Sequence, residues 1–286
     1  MPNTLTMPAP AKLNRFLHIT GRRPDGYHEL QTLFQMLDWS DQLTFTPTSQ
    51  PGLLFHCSDP ALETDDNLVA RAYRLICEQV DQELPVSIHL QKFLPMGGGL
   101  GGGSSDAAST LLGLNQLFNL NLDQPTLERL GRTLGADVPV FVRGQTAWAE
   151  GIGDKLTPIA LDELWHIIVH PNVHVSTATL FSHPELTRDT PVSTIQPELA
   201  IHGHNDFEPL VRRLYPQIDQ AFECCQDYGN ARLTGTGACL FMTMPDQASA
   251  ENVRHSIQDR LPDANVYAVR GRNLSPAHQH LSAGRA

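Results

Sequence analysis

Apolar positions recur along the chain with two periods. Leu68, Val69, Ala72, Leu75, Ile76 and Val80 lie three or four apart, which predicts a helix over Asn67–Val80 with Asp66 or Asn67 as its N-cap. Val86, Ile88 and Leu90 alternate with Ser87 and His89, the period of a half-buried strand. Ala107, Ala108, Leu111, Leu112, Asn115 and Phe118 mark a second helix, and Leu127, Leu130 and Leu134 a third, stopped by Gly135. Leu43–Phe45 is a short β-like run, expected to pair with Leu53–Cys57 across the turn-rich Pro47–Gly52. Val138–Val142, after Asp137 and around Pro139, fits a helix start and a strand equally well. Gln145–Glu150 and Trp165–His170 read as strands, and Pro184–His204, rich in Pro, Thr and His, as a surface loop. Leu210–Tyr228 reads as one long helix ended by Gly229. Strand, helix and strand follow at Leu240–Met244, Gln247–Arg260 and Asn265–Val269. The pattern changes near 155–165, which predicts domains over 1–160 and 161–286.

The length of 286 residues is enough for two cores, and 41% apolar with 18% charged residues is globular. No run approaches the roughly 18 apolar residues of a membrane span, and Met1–Phe16 holds no apolar segment of signal length. Five cysteines, an odd number without C-x-x-C, read as neither a disulfide framework nor a zinc site. The expectation is a reduced, soluble, cytoplasmic protein. A net charge of −11 speaks against a nucleic-acid partner, whose phosphates need clustered cations. It does not exclude small anions, because residues 1–30 are net positive through Lys12, Arg15, Arg22 and Arg23. His170 and His174 could share a helical face, and His202/His204 and His278/His280 alternate, but none sits in a metal-ligand pattern. Cys224-Cys225 reads as helix interior.

The most unusual segment is Pro95-Met-Gly-Gly-Gly-Leu-Gly-Gly-Gly-Ser-Ser-Asp106. Its glycines let a backbone approach a ligand closely, and the helix that follows offers free N–H groups and the positive end of its dipole, so the segment suits an anion such as phosphate. A flexible linker is the bland alternative, and the direct junction with a strand before and a helix after argues against it. It is not a Walker A loop, since Gly-Lys-Ser/Thr is missing. The dinucleotide fingerprint lacks its second-strand acid, and the protein-kinase H-R-D and D-F-G are absent. A second glycine loop, Thr234-Gly-Thr-Gly-Ala238, suggests a ligand clamped between halves or an ordinary turn. Taken alone, Asp137 reads as a helix cap, Lys12 as a snorkelling side chain, and Pro24-Asp-Gly-Tyr-His28 as a surface turn.

Together these pieces resemble the GHMP kinases. The resemblance is carried by Ala9-Pro-Ala-Lys-Leu-Asn14, Arg23–Thr32, Leu94–Ala107, Leu134–Phe141 and Arg232–Ala238, spread over about residues 9–274. The segment 184–204 and the tail after Ser275 lie outside it. It implies an α+β fold of two domains with the active site in the cleft between them. Pro24–His28 narrows it to ATP-dependent phosphorylation of the 2-hydroxyl of 4-diphosphocytidyl-2-C-methyl-D-erythritol, in non-mevalonate isoprenoid synthesis. By the same resemblance, Pro95, Met96, Gly97, Gly98, Gly99, Leu100, Gly101, Gly102, Gly103, Ser104 and Ser105 would hold the ATP phosphates. Asn67 and Lys92 would also touch the nucleotide. Asp137 would be the general base and Lys12 its charged neighbour. Asn14, Thr236 and Gly237 would approach the acceptor, Tyr27 and Phe181 would stack on cytosine, and His28 would hydrogen-bond it. Mg²⁺ would accompany ATP, with Ser104, Ser105 and Asp106 as candidate ligands. The resemblance leaves oligomeric state open. The rivals are a GHMP kinase acting on homoserine or a sugar, and a nucleotide-binding protein without transfer activity.

Overall fold

Two long antiparallel strands, β1 (Leu5–Arg22) and β2 (His28–Pro47), organise the molecule. The computed structural model describes residues 4–283. β2 pairs with β1 on one side. On the other it meets, from its start to its end, β5 (Ala147–Glu150), the end of β10 (Asn265–Arg272) and β4 (Val86–Gln91). The sheet runs β3-β4-β2-β10-β7-β9-β8, with β3 at Leu53–Cys57, β7 at Trp165–His170, β8 at Arg232–Leu233 and β9 at Leu240–Met244. A short strand β6 (Lys155–Pro158) pairs with β5.

One core lies where α1 (Leu68–Val80), α2 (Gly102–Leu117), α3 (Gln124–Leu134) and α4 (Val138–Arg143) cover the first half of the sheet. Phe34, Phe45, Ile76, Ile88, Leu111 and Phe141 are buried there. The other lies between β7, β9, α7 (Glu208–Leu214), α8 (Pro216–Cys225) and α9 (Gln247–Arg260), around Phe207, Ile218, Phe222, Leu240 and Ile257. β1 serves both: Met7 and Ala9 enter the first core, Leu17 and Ile19 the second. A further cluster, with Leu13, Leu37, Leu100, Ile168 and Phe241, seals the junction. Fully burying such side chains contributes about 1.5–3 kcal/mol each, so the halves are welded by packing. The α+β expectation holds.

Several expectations are corrected. Leu53–Cys57 does not form a hairpin with 43–45; it pairs in parallel with β4, and α1 makes the crossover. Leu43–Phe45 is only the end of β2, and β1 carries no period-2 signal because both its faces are covered from Met7 to Ile19. The helix over 210–228 is two helices, since Pro216 cannot donate into a continuous ladder and starts α8 afresh. Pro184–His204 includes a turn of helix, α6 (Leu199–His202). His170 ends a strand, so it shares no helical face with His174. The tail after Ser275 forms α10 (Pro276–Ala283), whose Ala277 and Leu281 pack on the first core. Cys224 and Cys225 are not interior to α8 but its last two residues, both buried, and all five cysteines are free. Among the described residues no helix is long and apolar enough to cross a membrane.

The glycine loop is shaped by protein neighbours. Gly99 has φ +75°, and a Cβ there would stand 2.2 Å from Thr234 O; one at Gly101, also φ +75°, would stand 2.8 Å from the Phe141 ring. Gly99→Ala should therefore destabilise the protein by at least about 2 kcal/mol, combining a left-handed backbone with a clash against rigid main chain. A urea midpoint unchanged from wild type would refute this account.

Candidate active site

The glycine loop leaves β4 through Lys92 and Phe93 and enters α2 at Gly101. Asp41, fully buried on β2, fixes its entry: Oδ1 accepts from Phe93 N (2.5 Å) and Leu94 N (2.8 Å). The Lys92 ammonium sits between Asp41 Oδ2 and Asp106 Oδ2, the latter at 2.7 Å. Burial works against its charge, but the two carboxylates outweigh it and raise its pKa. Asp106 is pushed up to about 7 by burial and by Asp41, although Lys92 pulls the other way. A hollow of about 450 Å³ lies over the loop, lined by residues 95–104 with Asn67, Lys92 and Asp106. Asn67 borders it, but as the N-cap of α1 its Oδ1 accepts from Val69 N (2.9 Å), and its Nδ2 donates to Leu62 O (2.9 Å).

The second glycine loop docks on the first. Ala238 N donates to Gly97 O (3.1 Å) and Cys239 N to Gly98 O (3.2 Å). Between the loops, β1 and α4 lies a cleft of about 370 Å³ that contains Lys12, Asn14, Ser104, Asp137, Thr236 and Gly237. It shares Gly97, Gly99, Gly101 and Ser104 with the loop hollow.

Lys12 Nζ stands 3.3 Å from Asp137 Oδ2. The lysine side chain is 3% exposed and the aspartate 34%, so the carboxylate is the partner open to a ligand. Lys12 also donates to Gly99 O (2.9 Å) and Asn14 Oδ1. Far from snorkelling, this lysine is held from three sides. Asn14 Nδ2 in turn donates to Thr32 Oγ1 (2.9 Å), so Asn14 fixes Lys12 from the wall of the cleft. Asp137 does occupy the N-cap position of α4, but its side chain makes no capping bond. Its carboxylate faces Lys12 instead, and the helix leaves the group half-open at its own N-terminus. Thr236 Oγ1 pairs with Thr177 Oγ1 (2.8 Å) across the cleft mouth.

A third hollow, about 490 Å³, continues from the cleft, sharing Leu30, Ala136, Ile152 and Phe181 with it. Tyr27, 61% exposed, His28 and Phe181 line it. The His28 and Phe181 rings lie 5.0 Å apart at 35°, and Phe181 rests edge-on against Phe207. Phe181 belongs to α5 (Thr177–Ser182), which brings the second half of the chain to the His28 end of β2. Burial and the charges of Arg188 and Arg22 lower the His28 pKa.

The structure thus gathers every sequence-predicted residue along one trough except Ser105, whose hydroxyl is buried without a partner beneath the loop. Sequence reasoning missed Asp41, Thr32 and Thr177. Each acts through partners far away in the chain, and no local pattern announces it.

An alcohol held in the cleft would have a carboxylate beside it and a phosphate cradle ahead of it, the layout that phosphoryl transfer between small molecules requires. Fold and site therefore define a kinase-type phosphotransferase. Residues 67–145 match the model of the GHMP kinases N terminal domain, and residues 187–263 that of the GHMP kinases C terminal domain. The second match begins inside the 184–204 segment, which the sequence reading had left outside the resemblance. The chain is 53% identical to a 4-diphosphocytidyl-2-C-methyl-D-erythritol kinase of Hahella chejuensis, covering 99% of this chain and 98% of that one. It is 49% identical to the protein of that name from Marinobacter nauticus, covering 99% of each. A solved 4-(cytidine 5'-diphospho)-2C-methyl-D-erythritol kinase superposes with a TM-score of 0.80 at 34% identity, over 94% of this chain and 100% of that one. The chain belongs to the GHMP kinases, in the family of these 4-diphosphocytidyl-2-C-methyl-D-erythritol kinases.

Lys92→Ala should leave Asp41 and Asp106 buried without a counter-charge and cost about 3–5 kcal/mol. An acid whose folded pKa lies above its unfolded value favours folding at low pH and ceases to do so as pH rises through that folded value. Lys92 holds the Asp106 pKa down, so its removal raises that pKa above the wild-type value of about 7, and the extra destabilisation of the variant should grow as pH rises from about 7 to about 9. Equal destabilisation across that range in thermal melts would contradict the assignment.

Proposed function

We propose that this chain transfers the γ-phosphoryl group of ATP to the 2-hydroxyl of 4-diphosphocytidyl-2-C-methyl-D-erythritol, in the non-mevalonate route to isoprenoid precursors. The observation that carries the reading is the Lys12–Asp137 pair, set between a glycine-lined hollow and an aromatic-walled one. ATP lies with its phosphates along residues 95–104, where loop amides and the α2 N-terminus meet negative charge. Asn67 and Lys92 border the nucleotide end. The cytidine ring enters between Tyr27 and Phe181, and His28 hydrogen-bonds its edge. The polyol then reaches the cleft beside Asn14, Thr236 and Gly237. Asp137 takes the proton of the attacking hydroxyl, a role worth roughly 10²–10⁴-fold in rate. Lys12, held by Gly99 O and Asn14, offsets charge as the oxygen approaches phosphorus.

Mg²⁺ bound with the triphosphate would supply neutralisation of its oxygens. Among the described residues there is no cluster of three or more His, Cys, Asp or Glu side chains to cage a metal. The ion would be held mostly by phosphate and water, with Ser104, which borders both hollows, as the side chain at hand. Asp106 is engaged by Lys92. In this reading residues 1–160 carry the phosphate loop and the base, and residues 161–286 carry the 234–238 loop and Phe181. The partners are small molecules rather than nucleic acid or membrane, and the setting is the cytoplasm.

The test is ADP release dependent on the acceptor. ADP formed with the cytidylated polyol, and not with homoserine or galactose, supports the reading; preference for either of those selects the rival. Asp137→Asn should keep ATP binding and lose at least about a hundredfold in kcat; undiminished turnover would remove Asp137 from the chemistry. Tyr27→Ala should raise KM for the cytidylated substrate by the equivalent of about 1–3 kcal/mol, and an unaltered KM would contradict stacking at Tyr27.

A further inference from the structure

Arg188 lies in the segment 184–204, which no role assigned so far uses. Its guanidinium is held on four sides. Nη1 donates to Leu186 O (2.9 Å), Nη2 to Phe181 O (2.9 Å) and His183 O (2.7 Å), and Nε to His28 Nε2 (3.0 Å). An arginine only donates, and it keeps its charge in proteins. The imidazole nitrogen that receives its N–H must therefore carry a lone pair, so His28 is neutral with its proton on Nδ1. Burial and the neighbouring Arg188 and Arg22 push the His28 pKa down, in the same direction. Nδ1 has no partner among the described residues, and the His28 ring borders the 490 Å³ hollow. One of the carbonyls that clamp Arg188 belongs to Phe181, which also lines that hollow and whose ring lies 5.0 Å from that of His28.

We propose that Arg188 is a positioning and specificity residue: it locks His28 in the Nδ1–H tautomer, so that the imidazole offers a fixed donor to the pyrimidine of the acceptor substrate. The substrate part of this proposal rests on the functional reading above; the tautomer part does not. A cytosine edge presents acceptors at N3 and O2, whereas uracil carries an N–H at position 3. A locked donor suits the first and opposes a second donor in the other, and a site built for one hydrogen-bond pattern rejects the analogue that cannot match it. Freed of Arg188, His28 can move its proton to Nε2 and turn Nδ1 into an acceptor, which removes the basis of that discrimination.

The tautomer is read by NMR of ¹⁵N-histidine-labelled protein without substrate, with the His28 signals assigned by their loss in His28→Gln. Wild type should show the Nδ1–H pattern, and Arg188→Ala a mixed or reversed one. In kinetics, Arg188→Ala should raise KM for the cytidylated acceptor about three- to tenfold and narrow its preference over the uridine analogue. Its kcat and its KM for ATP should stay within about twofold. Arg188→Lys, which keeps a donor and the charge, should recover part of the discrimination, and it carries the test if the alanine variant does not fold. An Nε2–H pattern in wild type overturns the proposal, as does a variant with an unchanged tautomer or an unchanged cytidine-to-uridine ratio. A wild type with the Nδ1–H pattern that fails to phosphorylate the cytidylated polyol overturns the functional reading instead.

Discussion

The contact on which everything else depends is main chain against main chain, where Gly97–Gly99 meets Thr234–Cys239. The second loop donates two backbone hydrogen bonds to the first, at 3.1 and 3.2 Å, and the space a Gly99 side chain would need is taken by Thr234 O. Such an approach is open only to residues without a Cβ. It sets the glycine loop against the second half of the chain. It also aims Gly99 O at Lys12, which in turn stands beside Asp137. The Lys12–Asp137 pair is thus located by the docking of loops, and the docking by missing methyl groups. Within the run, Gly98, Gly99 and Gly101 are demanded by Cys239, Thr234 and Phe141.

Around this contact the protein manages charge locally. Its net charge of −11 would repel a triphosphate at a distance, but the trough is furnished with buried cations. Lys12 is shared among Asp137, Asn14 and Gly99 O, and Lys92 among two aspartates. Arg15 and Arg232 sit over the Phe241 ring at 5.7 and 4.8 Å with no carboxylate within 4 Å among the described residues, although Glu208 is close enough to favour the Arg232 charge. Burial, with their mutual repulsion, pulls Arg15 down to about 9, and burial pulls Arg232 down to about 10. Cation–π contact and carbonyl acceptors, including Arg15 O for Arg232 and Ala200 O for Arg15, offset part of that cost. The acidic surface and the cationic interior are separate designs.

Much of the fold could be read from periodicity because α1, α3 and β4 each bury one face and leave one wet. The misread elements have no such contrast. β1 is covered on both faces, so alternation disappears; β3 finds its partner only after α1 has crossed back, and a short apolar run does not say with which strand it pairs. Pro216 could have been weighed as a break in the 210–228 helix, since proline is the one residue that forces such a stop.

By itself the sequence determined the chemistry on offer: a side-chain-poor loop before a helix, an aspartate before Val-Pro, a lysine in an apolar stretch, and a Tyr-His turn. These are properties of residue type and local spacing, and local geometry follows from them. Only the tertiary structure decided that Lys12 and Asp137 touch, that Asn14 holds the lysine instead of standing free, that Asn67 caps a helix, and that Arg188 bonds to His28. Each of these is an encounter between segments or a choice among hydrogen-bond partners, and such choices are settled by packing over the whole chain, where burial and backbone exclusion act at once on positions that the sequence keeps far apart.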